Sequence, residues 1–438
     1  MKTTAPFENQ RVAWWSPALV RDPPGTPDSA ASSAPAMRTL RIARRTTSVV
    51  RDIWLIFGVM LALLLTLEGG FRATGAIRRS LIPPAESVAD RVHRGVPWYT
   101  AYLREREAAT LRWKPFVYFR RRPSAGLYIN VDEHGRRRTA QSTGSGKRGD
   151  VYFFGGSTMF GSFQRDSMTI PSVAARKIAT EPELGRYEVT NFGVGGWVFT
   201  QSVLELIMEL RAGARPAVVV FYDGLNDVGA AAQSGVAGIP YNETNRAREF
   251  DLGRTVFNSE YGLGPDVRAL SALAVMAVKR LDVIERVLRS TPRSHETVVA
   301  DTLAHRVANA YVGMVEVVEA LSRQFGFRPL YVWQAAPHER SKKLTVDERA
   351  VLDEQHARWG RILSDVHQIV PALLDSSMVR IAPNRFVNQA SLFETDTTTV
   401  FLDYIGHNPE RIVPKIVDGF WPQLRQLLQE SAGTVAVR

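Results

Sequence analysis

Apolar positions along the chain change character twice. Near the start, Ile53 to Leu67 forms a run without a single charge, and Val49–Val50 and Gly69–Phe71 extend it. The extended segment holds about 20 residues, enough to cross a bilayer as a helix. Its apolar residues surround the helix rather than lining one stripe, which favours a membrane span over a helix of a soluble core. A long basic lead with no clean small-residue cleavage site after it favours a retained anchor over a removed signal. Residues 1–48 are rich in Pro, Ala, Ser, Thr and Arg, as in Pro23-Pro24-Gly25, and are expected to lack regular structure. A polar connector is expected over 72–148, with a helix from Trp98 to Leu111. Short strands are expected at Phe116–Phe119 and Leu127–Val131, followed by a Ser/Gly/Lys linker over 141–149.

From about residue 149 to 438 the pattern alternates between short apolar runs and helical periodicity. Runs at 151–154, 188–192, 217–222, 330–333 and 400–402 read as strands. Helical patterns lie between them, including 199–212 and 297–325. A capping box at Thr345 and Glu348 opens another helix, and an amphipathic helix runs from Ile412 to Leu428. Continuous apolar strands separated by helices predict an α/β fold: a parallel sheet covered on both faces, in three layers. Ligands of such sheets bind at the carboxyl ends of the strands.

Charge sharpens the division. Residues 1–148 carry 25 Lys/Arg against 11 Asp/Glu, and the remaining residues carry 30 against 33, so the net +11 belongs to the N-terminal third. A basic stretch beside a membrane segment explains this better than a nucleic-acid surface, for which no reading motif is present. Arg38, Arg41, Arg44, Arg45 and Arg51 precede the apolar run, against Arg72, Arg78 and Arg79 after it. The positive-inside rule then predicts a cytoplasmic N-terminus and an extracytoplasmic body, periplasmic if the cell is Gram-negative. The chain has no cysteine, which excludes disulfides, thiolate nucleophiles and Cys-ligated zinc.

Four polar motifs fall at strand ends. They are Gly155-Gly156-Ser157-Thr158, Asn191-Phe192-Gly193-Val194-Gly195-Gly196, Gly224-Leu225-Asn226-Asp227 and Asp403-Tyr404-Ile405-Gly406-His407. Acyl transfer needs these residue types: a hydroxyl nucleophile, an imidazole base, a carboxylate to orient it, and amide donors for the oxyanion. Singly, each motif also reads as an ordinary turn.

In this order the four blocks resemble the SGNH (GDSL-like) hydrolases, over about 150–430. The resemblance implies a flavodoxin-like three-layer α/β/α fold and an ester hydrolase without metal or organic cofactor. It also implies Ser157 as nucleophile, His407 as base and Asp403 as orienter, with the Ser157 and Gly196 N–H groups and the Asn226 amide as oxyanion donors. Gln334, His338 and Asp227 become candidate pocket residues.

Two features depart from the family pattern. Gly156 stands where an Asp usually precedes the serine, and Asp403 and His407 have three residues between them instead of two. The extra residue adds up to about 3.5 Å along an extended chain, which a bulge at Gly406 could absorb. Asp227 and Asp396 are alternative orienters, and Ser–His acting alone is a third possibility.

Other catalytic motifs fail. Met159 stands where G-x-S-x-G needs glycine, and Val198 where a dinucleotide turn needs its third. Gln141 and Arg148 break the phosphate-loop pattern around Gly144-Ser145-Gly146-Lys147. Three functions remain open: hydrolysis of an O-acyl ester on an extracytoplasmic glycan or lipid, transfer of that acyl group to a sugar, or a tethered binding or scaffold protein with a decayed site. For transfer, Gly229–Pro240 is the candidate lid. Protein partners are not indicated.

Overall fold

The computed structural model describes residues 34–81, 86–140, 149–182, 184, 187–247, 250 and 299–435. The phosphate-loop look-alike lies outside them. Two compact units are present, one ending at Ser80 and the other holding the rest of the described chain.

Among the described residues the first unit is formed by one helix, α1 (Ala34–Leu81), which extends beyond the expected span at both ends, so residues 34–48 are helical rather than irregular. Within it, Arg51–Ile77 is long and apolar enough to cross a membrane. Its large apolar side chains, such as Trp54, Phe57, Met60 and Leu63, are exposed, unlike those of a core helix.

The second unit is built on a parallel sheet of five strands in the order β4-β3-β5-β6-β7. These are β3 (Gly149–Gly155), β4 (Tyr187–Asn191), β5 (Val218–Asp223), β6 (Arg328–Trp333) and β7 (Phe386–Asn388). Period-two alternation sorts the strand side chains into two layers. Val151, Phe153, Val218, Val220, Leu330 and Val332 face one core with α5 (Ile170–Thr180) and α11 (Val413–Val435). Tyr152, Phe154, Val219, Phe221, Tyr331 and Trp333 face the other, against α6 (Phe199–Arg211), α8 (Ala300–Phe325) and α10 (Ile362–Ile381). Each fully buried Val, Leu or Phe contributes about 1.5–3 kcal/mol. The expected three-layer arrangement is therefore present.

Three local expectations are corrected. Val400–Leu402 forms no strand: the Val400 and Phe401 N–H groups donate to the Glu348 side chain, and the fifth strand is β7 instead. In the connector, β1 (Leu111–Lys114) pairs antiparallel with β2 (Tyr118–Arg121), while Leu127–Val131 makes only isolated bridges. The boundary expected at residue 149 is not a boundary between units, because the connector packs into the α/β body. Arg120 of β2 meets Glu205 of α6 at 2.6 Å with both side chains buried. Arg137 sends its guanidinium to the Phe160, Gly161 and Gln164 carbonyls and to Asp166.

Candidate active site

Ser157 is half-buried at the first position of the short helix α4 (Ser157–Phe160), directly after β3. A first-turn N–H has no acceptor within its own helix and points outward. Asn226 lies in the first turn of α7 (Leu225–Ser234), after β5. Its Nδ2 donates to the Trp197 carbonyl at 2.8 Å, which fixes the amide plane and leaves a second N–H on the same nitrogen. A Cβ built on Gly156 would fall 2.2 Å from that nitrogen. Glycine before the serine thus leaves the space that the Asn226 amide occupies in this structure.

Gly196 has a φ of +81° in the turn after β4, with nothing within 4 Å of its would-be Cβ. Gly195, not singled out from the sequence, is the residue whose added Cβ would contact the Ser157 side chain, at 3.6 Å. The glycine run signals close backbone approach without saying which glycine faces the serine.

At the far end of the chain, His407 Nδ1 lies 2.7 Å from Asp403 Oδ2. Asp403 Oδ1 also accepts the Ile405 and His407 N–H groups, each at 3.2 Å. A turn closed by Gly406 N–H to Asp403 O at 3.0 Å folds back the additional residue, and Gly406 supplies the positive φ of +83°. Burial raises the Asp403 pKa, but the adjacent His407 charge and these hydrogen bonds outweigh it and hold the carboxyl below its ordinary value. His407 is buried, and its Nε2 has no hydrogen-bond partner among the described residues.

The three segments converge. The His407 ring packs on Phe163, 5.7 Å between centroids, just beyond α4. Gln164 Nε2 donates to Asn408 O at 3.3 Å, and an added Cβ on Gly406 would strike Leu225, next to Asn226. The connector forms the outer wall: His93 stacks near Phe163, Arg106 lies 4.4 Å over its ring, and Tyr102 accepts its N–H at 2.6 Å. A cleft of about 460 Å³ borders Asp90, His93, Arg94 and Tyr99 there, but its lining includes neither Ser157 nor His407.

The other candidates take different places. Asp227 accepts the Phe199 and Gly224 N–H groups at 3.0 and 3.1 Å, and burial pushes its pKa up to about 6. It joins the starts of α6 and α7, the two helices that follow the glycine turn and carry Asn226. Asp396 engages Thr398 and Lys415. Neither bonds to His407. Gln334 is buried and its N–H donates to Asp223 O at 3.1 Å. His338 accepts the Arg340 N–H, and burial lowers its pKa to about 4. No contact joins Gln334 or His338 to the Ser157 segment among the described hydrogen bonds. Of the candidate lid, Gly229–Ser234 belongs to α7, with Gly229, Ala230 and Ala231 buried in the body, while residues 235–240 lie beyond the helix and part of the polar run after them lies outside the described residues.

No family model and no curated protein matches the sequence. Among solved structures the chain is similar to TesA, at 13% identity over 64% of this chain and 99% of that one, with a TM-score of 0.32. It is also similar to the acetyl xylan esterase AlAXEase (14%, 62% and 98%, TM-score 0.33). A third is the psychrotrophic esterase EstA from Pseudoalteromonas sp. (9%, 64% and 98%, TM-score 0.31). Likenesses this distant carry no weight for what the site does.

Proposed function

We propose that the chain is a serine ester hydrolase of the SGNH type. The observation that carries this reading is the Asp403–His407 pair at 2.7 Å, whose outer nitrogen is buried and unclaimed among the described residues. Asp403 holds the imidazole with Nδ1 protonated, so Nε2 is the atom able to accept a proton. Ser157 Oγ attacks the ester carbonyl as His407 Nε2 takes its proton. The Ser157 and Gly196 N–H groups and Asn226 Nδ2 receive the developing oxyanion, and Gly195 allows the close approach. The alcohol leaves with the proton from His407, and water repeats the sequence to release the acid from the acyl-serine.

The short Asp403–His407 distance removes the motive for a decayed site. Hydrolysis needs only the residues already named and water as acceptor, and it is the reading put forward; product analysis with a saturating oligosaccharide acceptor distinguishes it from transfer to a sugar. The apolar segment Arg51–Ile77 and the basic residues before it support a membrane anchor with a cytoplasmic N-terminus and an extracytoplasmic body. An O-acylated glycan or lipid of that compartment is the proposed substrate class. The full chain in detergent is expected to cleave short-chain aryl esters and to be labelled at Ser157 by a fluorophosphonate. Ser157→Ala retaining either property would refute the assignment.

A further inference from the structure

The segment that leads into Asp403 and His407 has no sheet partner among the described residues, yet Val400 and Phe401 are buried. Buried N–H groups need acceptors, and here one side chain supplies them. Glu348, in the first turn of α9 (Val346–Trp359), accepts Val400 N–H at 2.8 Å and Phe401 N–H at 3.3 Å on Oε1. Its Oε2 accepts Thr345 N–H at 2.9 Å, completing the capping box visible in the sequence. Lys342 Nζ meets the same carboxylate at 2.9 and 3.1 Å, and also donates to Thr398 O. Both side chains are 0% exposed.

Removing two charges from water costs several kcal/mol per ion, and a capping box alone does not require it. A surface-facing Glu at the same helical position would cap α9 equally well. What the burial adds is a fixed acceptor for a strand-like segment two residues before Asp403. We infer that Glu348, neutralised by Lys342, is a positioning residue: it stands in for a missing sheet neighbour and sets the place of the Asp403–His407 turn. Asn408 Nδ2, donating to Val400 O at 2.7 Å, closes the turn from its other end. This inference rests on the proposed roles of Asp403 and His407.

The test separates positioning from stability by exchanging the pair in the full chain. Lys342→Met with Glu348→Leu replaces two buried ions by apolar groups of similar volume and leaves the Val400 and Phe401 N–H groups without their acceptor, so melting temperature is measured beside activity. Lys342→Met with Glu348→Gln retains one carbonyl oxygen for them. With an aryl ester, the Leu pair is expected to lose about 100-fold in kcat with KM nearly unchanged, the scale of a misplacement of about 1 Å. The Gln pair is expected to recover most of that loss.

Glu348→Asp, which keeps the charge but withdraws the oxygen by one methylene, should also lower kcat and covers the case of a Leu pair that does not fold. Wild-type kcat in a folded Leu pair, or in Glu348→Asp, overturns the inference. So does a kcat ranking that follows melting temperature with no recovery in the Gln pair. A wild-type chain that neither turns over nor takes the fluorophosphonate overturns both this inference and the hydrolase reading. A labelled, active wild type with indifferent Glu348 variants overturns this inference alone.

Discussion

Asn226 fills the space that a side chain at Gly156 would need: its amide nitrogen sits 2.2 Å from where a Cβ there would stand. The amide is held there by the Trp197 carbonyl, so it cannot retreat without breaking a buried hydrogen bond. In the hydrolase reading this nitrogen is one of three oxyanion donors. Asn226→Ala is then expected to lower kcat by about 100- to 1000-fold with little change in KM. Gly156→Ala should act in the same direction by displacing an amide it does not remove. Steady-state kinetics on an aryl ester measures both, and wild-type kcat in Gly156→Ala would show that the amide position does not matter.

Asp403→Asn keeps the size of the side chain but removes the charge that orients His407. Expected is a fall in kcat of about 100- to 10,000-fold, with Ser157 still present but slow to take the fluorophosphonate. Because the Asp403 pKa is depressed, its contribution to stability is present above the ordinary value near 4 and is lost as pH falls through the depressed one. The melting-temperature gap between wild type and Asp403→Asn should therefore narrow in acid. A gap that widened instead would contradict the assigned pairing.

Gly406 has a φ of +83°, and a Cβ there would come 2.7 Å from Leu225. Gly406→Ala combines backbone strain with this clash and should cost about 1–3 kcal/mol of stability. Activity should fall further than the unfolded fraction explains, because the strain bears on the turn that carries His407. Activity proportional to folded protein would argue against that coupling.

Asp223 ends the central strand β5 with both carboxyl oxygens buried and without hydrogen-bond partners among the described residues. Burial first, and then the neighbouring Asp227, push its pKa well above the ordinary value. An acid raised in the folded state stabilises below its unfolded pKa, and that stability is lost as pH rises toward the folded one. Asp223→Asn should therefore gain melting temperature relative to wild type as pH rises above the ordinary carboxyl value of about 4. A difference independent of pH would mean that the carboxyl is not the titrating group.

The sheet was legible because strands buried on both faces leave continuous apolar runs, as in Val218–Tyr222. The positions of Ser157, the glycine turn and Asn226 after strands were legible because each follows such a run. Val400–Leu402 shows the limit of that logic. Its composition is that of a strand, but its N–H groups are satisfied by Glu348, a long-range side-chain contact that no local pattern encodes. The real fifth strand, Phe386–Asn388, is short and only half-buried, so its signal is weak. Thr345 and Glu348 were visible as a helix cap, but the second use of that carboxylate depends on tertiary packing. Asp403 was recognisable as a partner for His407, whereas the turn that allows three intervening residues depends on a positive φ that glycine permits without announcing.

Phe163 carries a further lesson for anyone who would shorten this protein. It has a positive φ of 64°, and it is held by Tyr102, Arg106 and His93 while its ring also meets that of His407. A soluble version begun at the first central strand would keep every residue assigned to chemistry and strip away the brace behind the imidazole. The segment between the apolar helix and the sheet is thus more than a tether, because it supplies the contacts that hold Phe163 against His407.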